Sequence, residues 1–378
     1  MNSLRQFLVG TFGPILQDQL FPVLREELGP MSNHHEQFVR ALAMLQLDGF
    51  VAVRHGRGRP GHDRASMARA FLAKAVFNVS TTRAILDRLR SDAVLRRLCG
   101  WEGVADIPDE TVFSRAFAEF ARSEFPQRVH AALVQRTQSE RLVGHILRDS
   151  TAIAAREKAQ PKPTPAAPAP RRRSDRPAKS KSPERMTRLE RQCSTGMTLE
   201  QMLAELPRAC DVGCKTNSKG SKYFWIGYKL HLDAADGQIP ISCVLTSASL
   251  NDTQVAVPLA LLTAQRVTNC YDVMDAGYDS DQIRQHSAGL GHVPIIPRRK
   301  RGSYQPVMDP HQKVRFRERT AVERVYARLK DEFGGHFVRV RGAAKVMAHL
   351  MFGILALTAD QILRWGDAEP AESATASP

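Results

Sequence analysis

The stretch Phe224-Trp-Ile-Gly-Tyr-Lys-Leu-His-Leu232 constrains the fold most. Its Ile226, Tyr228, Leu230 and Leu232 fall on one side of an extended chain, the period-two pattern of a half-buried strand. An Asp236-Gly237 turn signal and a second apolar run, Pro240 to Thr246, complete a hairpin pattern. Two further runs flank it. Val143-Gly-His-Ile-Leu-Arg-Asp149-Ser-Thr151 reads as a short strand ending in an aspartate, and Tyr271-Asp-Val-Met-Asp275 as another that stops at Asp275, with Gly277 opening a turn. A polar helix near Ser280 to Ser287 and a short apolar piece, His292 to Ile296, follow. Strands alternating with helices in this order imply an α/β class.

The segment Phe316 to Lys330, FRERTAVERVYARLK, sets Arg319, Glu323 and Lys330 four and seven residues apart, near one face of a helix. Val322, Val325, Tyr326 and Leu329 form the apolar stripe that buries that helix against a core. A carboxylate between two cations suits a site that handles a metal and a phosphate. Taken alone, the same pattern equally describes an exposed helix with intrahelical ion pairs. Asp149 and Asp275 supply the company that favours a site. Two carboxylates at strand ends and one on a helix can converge on divalent cations, because Mg²⁺ prefers hard oxygen ligands and leaves room for water and phosphate. The neighbouring acids read differently: Asp279 as a helix cap, Asp252 as part of a polar loop, Asp233 and Asp236 as turn residues.

Together these pieces resemble bacterial insertion-sequence transposases of the DDE class. The matching motifs are Arg148-Asp-Ser-Thr151, Asp275-Ala-Gly-Tyr-Asp279, and Arg319-Thr-Ala-Val-Glu323 through Leu329-Lys330. One branch of that family spaces its last motif as Tyr, two residues, Arg, three residues, Glu, six residues, Lys. Phe316, Arg319, Glu323 and Lys330 keep that spacing, with no phenolic hydroxyl at position 316. Gly213 to Gly220, Gly227 to His231 and Leu245 to Asp252 resemble the region before, within and after the family's hairpin. The likeness runs over roughly residues 35 to 365, apart from one divergent insert.

The resemblance implies a ribonuclease H-like core with a mixed sheet. It implies metal-dependent cleavage of DNA at element ends and strand transfer into target DNA. Asp149, Asp275 and Glu323 would hold two Mg²⁺ ions, with Mn²⁺ as a substitute, while Arg319 and Lys330 contact DNA phosphates. The partners would be terminal inverted repeats and target DNA, with a homodimer in the DNA complex. Two other functions share these residues: a metal-dependent nuclease that cuts without joining, and a domesticated DNA-binding regulator.

The charge balance agrees with a DNA partner. Lys and Arg number 54 against 39 Asp and Glu, a net charge of +15, which favours polyanions in a salt-dependent way. Six scattered cysteines make no disulfide framework and fit a reducing cytoplasm. Cys210 and Cys214 lack a second pair at zinc-finger spacing. No secretory signal is expected at the start, and Val346 to Ile362 reads as a buried helix rather than a membrane span.

Three regions are expected. Residues 1–140 read as a helical domain, with helices at Gln37 to Leu47, Ser66 to Phe77, Ser80 to Leu89, Asp92 to Leu98 and Asp109 to Ala121. Short helices with tight turns fit a helix-turn-helix type of DNA-binding domain, as the resemblance also implies, or a purely structural bundle. In the last helix Arg115 faces outward. Arg57 and Arg59, within Arg54 to Gly61, resemble an AT-hook that enters a minor groove; the competing reading is a helix-entry loop. Residues 141–365 form the catalytic domain, interrupted at about 152–199 by a Pro-rich and then basic insert. That composition reads as disordered, and its Arg171, Arg172 and Arg173 are candidate phosphate contacts. Part of the basic half, Pro183 to Cys193, reads as helical, and residues 366–378 as a disordered tail.

Overall fold

A computed structural model describes residues 20–51, 61–161, 186–194, 196–216, 220–299 and 307–374. The first half is helical: α1 (Leu20–Leu28), α2 (Asn33–Leu45), α3 (Arg64–Val76), α4 (Thr82–Ser91), α5 (Ala93–Cys99), α6 (Glu110–Arg122) and α7 (Phe125–Gln138). Five of the seven begin where a short polar side chain can satisfy the free N–H groups of a first turn. Ser32, Asp63, Thr81, Asp92 and Asp109 each accept such a hydrogen bond. These five are the helices read from sequence. Helix α7 was not, and it has no side-chain cap: Glu124 before it adopts a left-handed conformation, and Pro126 occupies its first turn.

The second half builds one mixed sheet from β1 (Leu142–Ala154), β2 (Asp211–Thr216), β3 (Lys222–Ala235), β4 (Ile239–Ser247), β5 (Thr268–Met274) and β6 (Val293–Ile295). Between them lie α8 (Arg188–Ser194), α9 (Leu199–Ala204), α10 (Thr253–Ala264) and α11 (Asp281–Gly289). Strand β3 runs antiparallel to β1, β2 and β4, and β5 runs parallel to both β1 and β6. Gly227 pairs with Ala154 on one edge of β3 and with Asp211 on the other, so β2 and β4 share the edge opposite β1. An antiparallel hairpin beside a central strand that is parallel to the last two is the arrangement expected of a ribonuclease H-like core.

Strand β1 does not end at Asp149 but continues to Ala154, because the long β3 offers it partners as far as Gly227. Asp233 is not a turn residue: β3 continues to Ala235, and Asp233 is buried within it, opposite Arg148. Strand β2 was not anticipated as a strand. Its Gly213 leaves room for the Trp225 ring, which a Cβ there would overlap.

Helices α12 (Pro310–Phe316) and α13 (Thr320–Asp331) are joined by a 3₁₀ turn, Arg317–Arg319, and α14 spans Ala343–Ala374. Val322, Val325 and Leu329 of α13 are buried as the apolar stripe requires. Helix α14 is long and apolar enough to cross a membrane by length and composition, but most of that stretch is buried within the fold. Its Phe352 sits among Phe71, Phe117, Phe120 and Phe125, with ring centroids 5.7 to 6.4 Å away. One apolar core therefore runs from the helical half through α14 to the sheet. Burial of each such side chain contributes about 1.5–3 kcal/mol. Arg57, Arg59, Arg171, Arg172 and Arg173, and most of the insert, lie outside the described residues.

Candidate active site

The sheet register brings the first two carboxylates together. Strand β5 pairs with β1 only as far as Arg148 opposite Met274, so the next residues, Asp149 and Asp275, flank the point where that parallel ladder stops. On its other edge β1 stays paired, Asp149 opposite Leu232. Asp275 caps a short 3₁₀ turn, Ala276–Tyr278, accepting the Gly277 N–H at 2.7 Å. A Cβ on Gly277 would stand 2.7 Å from that same oxygen, which accounts for glycine in the Asp-Ala-Gly motif.

Burial pushes the Asp149 carboxyl up to about 6, and the neighbouring Asp275 charge adds to the rise. The Ser150 N–H and the charges of Arg319 and Lys215 oppose it. Arg148 points the other way, as successive strand residues do. It is buried and donates twice to Asp233, at 2.8 and 2.7 Å, while Thr263 Oγ1 donates to the same carboxylate at 2.6 Å. Burial works against the guanidinium charge, but the Asp233 and Asp272 carboxylates overcome it and hold the Arg148 pKa above its ordinary value. This pair locks β1 to β3 directly behind Asp149.

Helix α13 carries the third candidate acid, Glu323. The Tyr326 hydroxyl donates to the Asp149 backbone oxygen at 2.7 Å, and Lys330 Nζ donates to Thr151 Oγ1 at 2.7 Å. These contacts strap α13 across β1. Glu323 lies on the outer side of the helix, its side chain 54 % exposed. Arg319 spans the gap. It donates to Glu323 at 2.7 Å and stands 3.6 Å from Asp149 Oδ2, with its guanidinium 5.8 Å from the Phe316 ring. Burial, and after it the Lys215 charge, lowers the Lys330 pKa.

Among the described residues no three or more His, Cys, Asp or Glu side chains are already set as a metal-ligand group. The donors nevertheless suit a hard cation. Asp149 and Asp275 are adjacent like charges, and the Arg319 guanidinium stands between Asp149 and Glu323. The other acids nearby are already engaged. Asp252 pairs with Lys229 at 2.9 Å, and Asp236 accepts from the Gly144 and His145 N–H groups. Asp279, read as a helix cap, instead binds Arg284 at 2.9 Å and the Arg299 N–H at 2.8 Å; Ser280 holds the cap position of α11. Arg115 is exposed on α6 and donates to Thr111 Oγ1 at 3.3 Å.

Arg148 with Asp233, Tyr326 and Lys215 had no assigned place at the site from sequence. Alternation along β3 puts Asp233 on the face opposite Ile226, Tyr228, Leu230 and Leu232, and nothing local pairs it with a residue 85 positions earlier. A family model described as Transposase DDE domain matches residues 204–359, which include Asp275, Arg319, Glu323 and Lys330. A second, described as Transposase domain (DUF772), matches residues 25–119, from α1 into α6. No curated relative and no solved structure matches the chain.

Proposed function

This chain belongs to the insertion-sequence transposases of the DDE class, which act on DNA and use divalent metal ions, and on that premise we propose that it cuts DNA at the ends of its element and joins them to target DNA. The observation that carries the assignment of residues is the register that sets Asp149 beside Asp275, with Arg319 linking Asp149 to Glu323.

Asp149, Asp275 and Glu323 are the residues that would hold two Mg²⁺ ions, or Mn²⁺ in their place. When bound, such ions supply Lewis acidity at the scissile phosphate and ease loss of the proton from the attacking hydroxyl. The protein's own contribution is position and charge. Asp149 ionises above pH about 6, so at neutral pH it is an oxygen donor. Arg319 exchanges its carboxylate contacts for phosphate oxygens, and Lys330, held against Thr151, offers a second cation on the same helix. In cleavage, water forms the new P–O bond as the bond to the 3′ oxygen breaks. In joining, the freed 3′-hydroxyl attacks a target phosphate and displaces the target's own 3′ oxygen. Only the nucleophile changes, so one site serves both steps.

The helical residues 1–140 would bind the terminal repeats, residues 141–365 would carry the chemistry, and two copies would hold two DNA ends. The test is cleavage of the element's own terminal repeat with Mg²⁺. Asp149→Asn, Asp275→Asn and Glu323→Gln should each lose cleavage by at least about a thousandfold while still binding DNA. Wild-type cleavage by any one variant removes that residue from the site. Cleavage without joined product from a pre-cut end would leave a nuclease.

A further inference from the structure

The β2–β3 ribbon has exposed aromatic side chains on both faces, which the site described above does not use. On one face Val212 pairs with Ile226 and Cys214 with Phe224, and all four are exposed. On the other, Tyr223 lies opposite Lys215 and stacks on Trp225, with ring centroids 6.3 Å apart and planes at 14°. Trp225 is itself fixed, buried against Gly213 and donating to the Tyr228 carbonyl at 3.0 Å. Phe224 and Tyr223 are 60 % and 62 % exposed. Among the described residues β2 is an edge strand, so the ribbon is held to the body through β3. Apolar rings left this open on a folded chain signal a binding surface.

Charge identifies the occupant. Residues 212–228 contain Lys215, Lys219 and Lys222 and no Asp or Glu. A second copy of the same ribbon would bring like charges together, whereas a polyanion with flat apolar faces satisfies both lysines and rings. Lys215 also ties the ribbon to the carboxylates, because its charge acts on both Asp149 and Lys330. We propose that the β2–β3 ribbon grips the DNA strand leading into the carboxylate site, with Phe224 and Tyr223 stacking on unpaired bases while Lys215 and Lys222 hold phosphates. This rests on the transposase reading. It adds a contact for unpaired strand that the three acids do not supply.

The test uses the full chain and a fluorescent single-stranded oligonucleotide, beside a blunt duplex of the same sequence. Phe224→Ala and Tyr223→Ala should each weaken single-strand binding roughly tenfold and change duplex binding far less. Phe224→Trp, which keeps a stacking face, should restore it. Lys215→Gln and Lys222→Gln should each flatten the salt dependence of single-strand binding by a slope of about 0.7. A second measurement needs no variant. Cys214 and Cys193 are both exposed, and bound single strand should slow alkylation of Cys214 severalfold while leaving Cys193 unchanged. Unchanged single-strand affinity in both alanine variants, or equal alkylation of Cys214 with and without DNA, overturns the proposal. So does a change in oligomeric state at unchanged DNA affinity, which would make the ribbon a contact between copies. Wild-type protein that cleaves its element ends while the ribbon variants bind as wild type sinks the ribbon alone. Wild-type protein that neither binds nor cleaves DNA sinks the transposase mechanism as well.

Discussion

At the scale of single residues, the Arg148–Asp233 pair ties β1 to β3 beside Asp149. Both groups are buried, and the two-fold donor geometry with Thr263 leaves little of the Asp233 carboxylate unsatisfied. Breaking such a pair strands a charge in the core, whereas replacing both partners removes the desolvation cost along with the attraction. Arg148→Met alone should therefore cost about 3–5 kcal/mol, and Arg148→Met with Asp233→Leu should recover most of that loss. Urea midpoints of the two variants decide it, and a double variant no more stable than the single one would show that the pair is not the source. Asp149, Asp275, Arg319, Glu323 and Lys330 stand out in the sequence as candidates because each sits in a run whose local spacing suits the proposed chemistry. Asp233 does not, since its meaning comes from a strand partner distant in the chain. The same holds for Tyr326, which reads as one more member of an apolar stripe. Only the packed helix shows its hydroxyl over Asp149.

At the scale of elements, α13 shows how a helix is fixed against the strand that carries Asp149. Val322, Val325 and Leu329 supply burial, and the polar contacts of Tyr326 and Lys330 choose where along β1 the helix rests. Tyr326→Phe keeps the ring and deletes the hydroxyl that reaches the Asp149 and Leu230 carbonyls. It should cost about 1–3 kcal/mol, since buried acceptors lose their donor. Leu329→Ala should cost about 2–5 kcal/mol by opening a cavity. Thermal melts measure both. If α13 positions Glu323, Tyr326→Phe should also lower cleavage at temperatures where the variant is fully folded; unchanged cleavage there would limit the hydroxyl to a stabilising role. Elements with strong local signals, the five capped helices and the hairpin strands, were readable. Helix α7 lacks a capping side chain, and β2 contains Gly213 in a run without clear alternation, so neither announced itself. Strand β1 looked shorter than it is because its last residues owe their extended state to β3 rather than to their own pattern.

At the scale of the whole molecule, the helical half and the sheet share α14 and one core, and buried histidines sit in both halves. His130 on α7 and His231 on β3 are buried, and His349 on α14 is half-buried. Burial lowers them to about 3, about 4 and about 3, from an ordinary value near 6.5. A neighbouring positive charge adds to the fall in each case, Arg266, Lys229 and Lys74 in turn, although at His231 the opposing Asp252 charge is the larger of the two. The unfolded chain takes up protons on these groups below pH about 6.5, while the folded chain does not until pH 4 to 3. Stability from them is therefore complete above pH 6.5 and falls as the pH drops toward those folded values. Each histidine contributes a loss of between about 1 and 2 kcal/mol per pH unit in that window. Asp149 acts with the opposite sign, because its carboxyl, raised to about 6, binds a proton in the folded state first. One such group offsets only part of the effect of three histidines. Stability should thus drop by several kcal/mol between pH 7 and pH 5, read as a falling urea midpoint. Replacing His130 and His349 together with Gln should flatten that dependence, whatever it does to stability at pH 7. A slope that stays the same in the double variant would mean that groups other than these histidines take up the protons on unfolding.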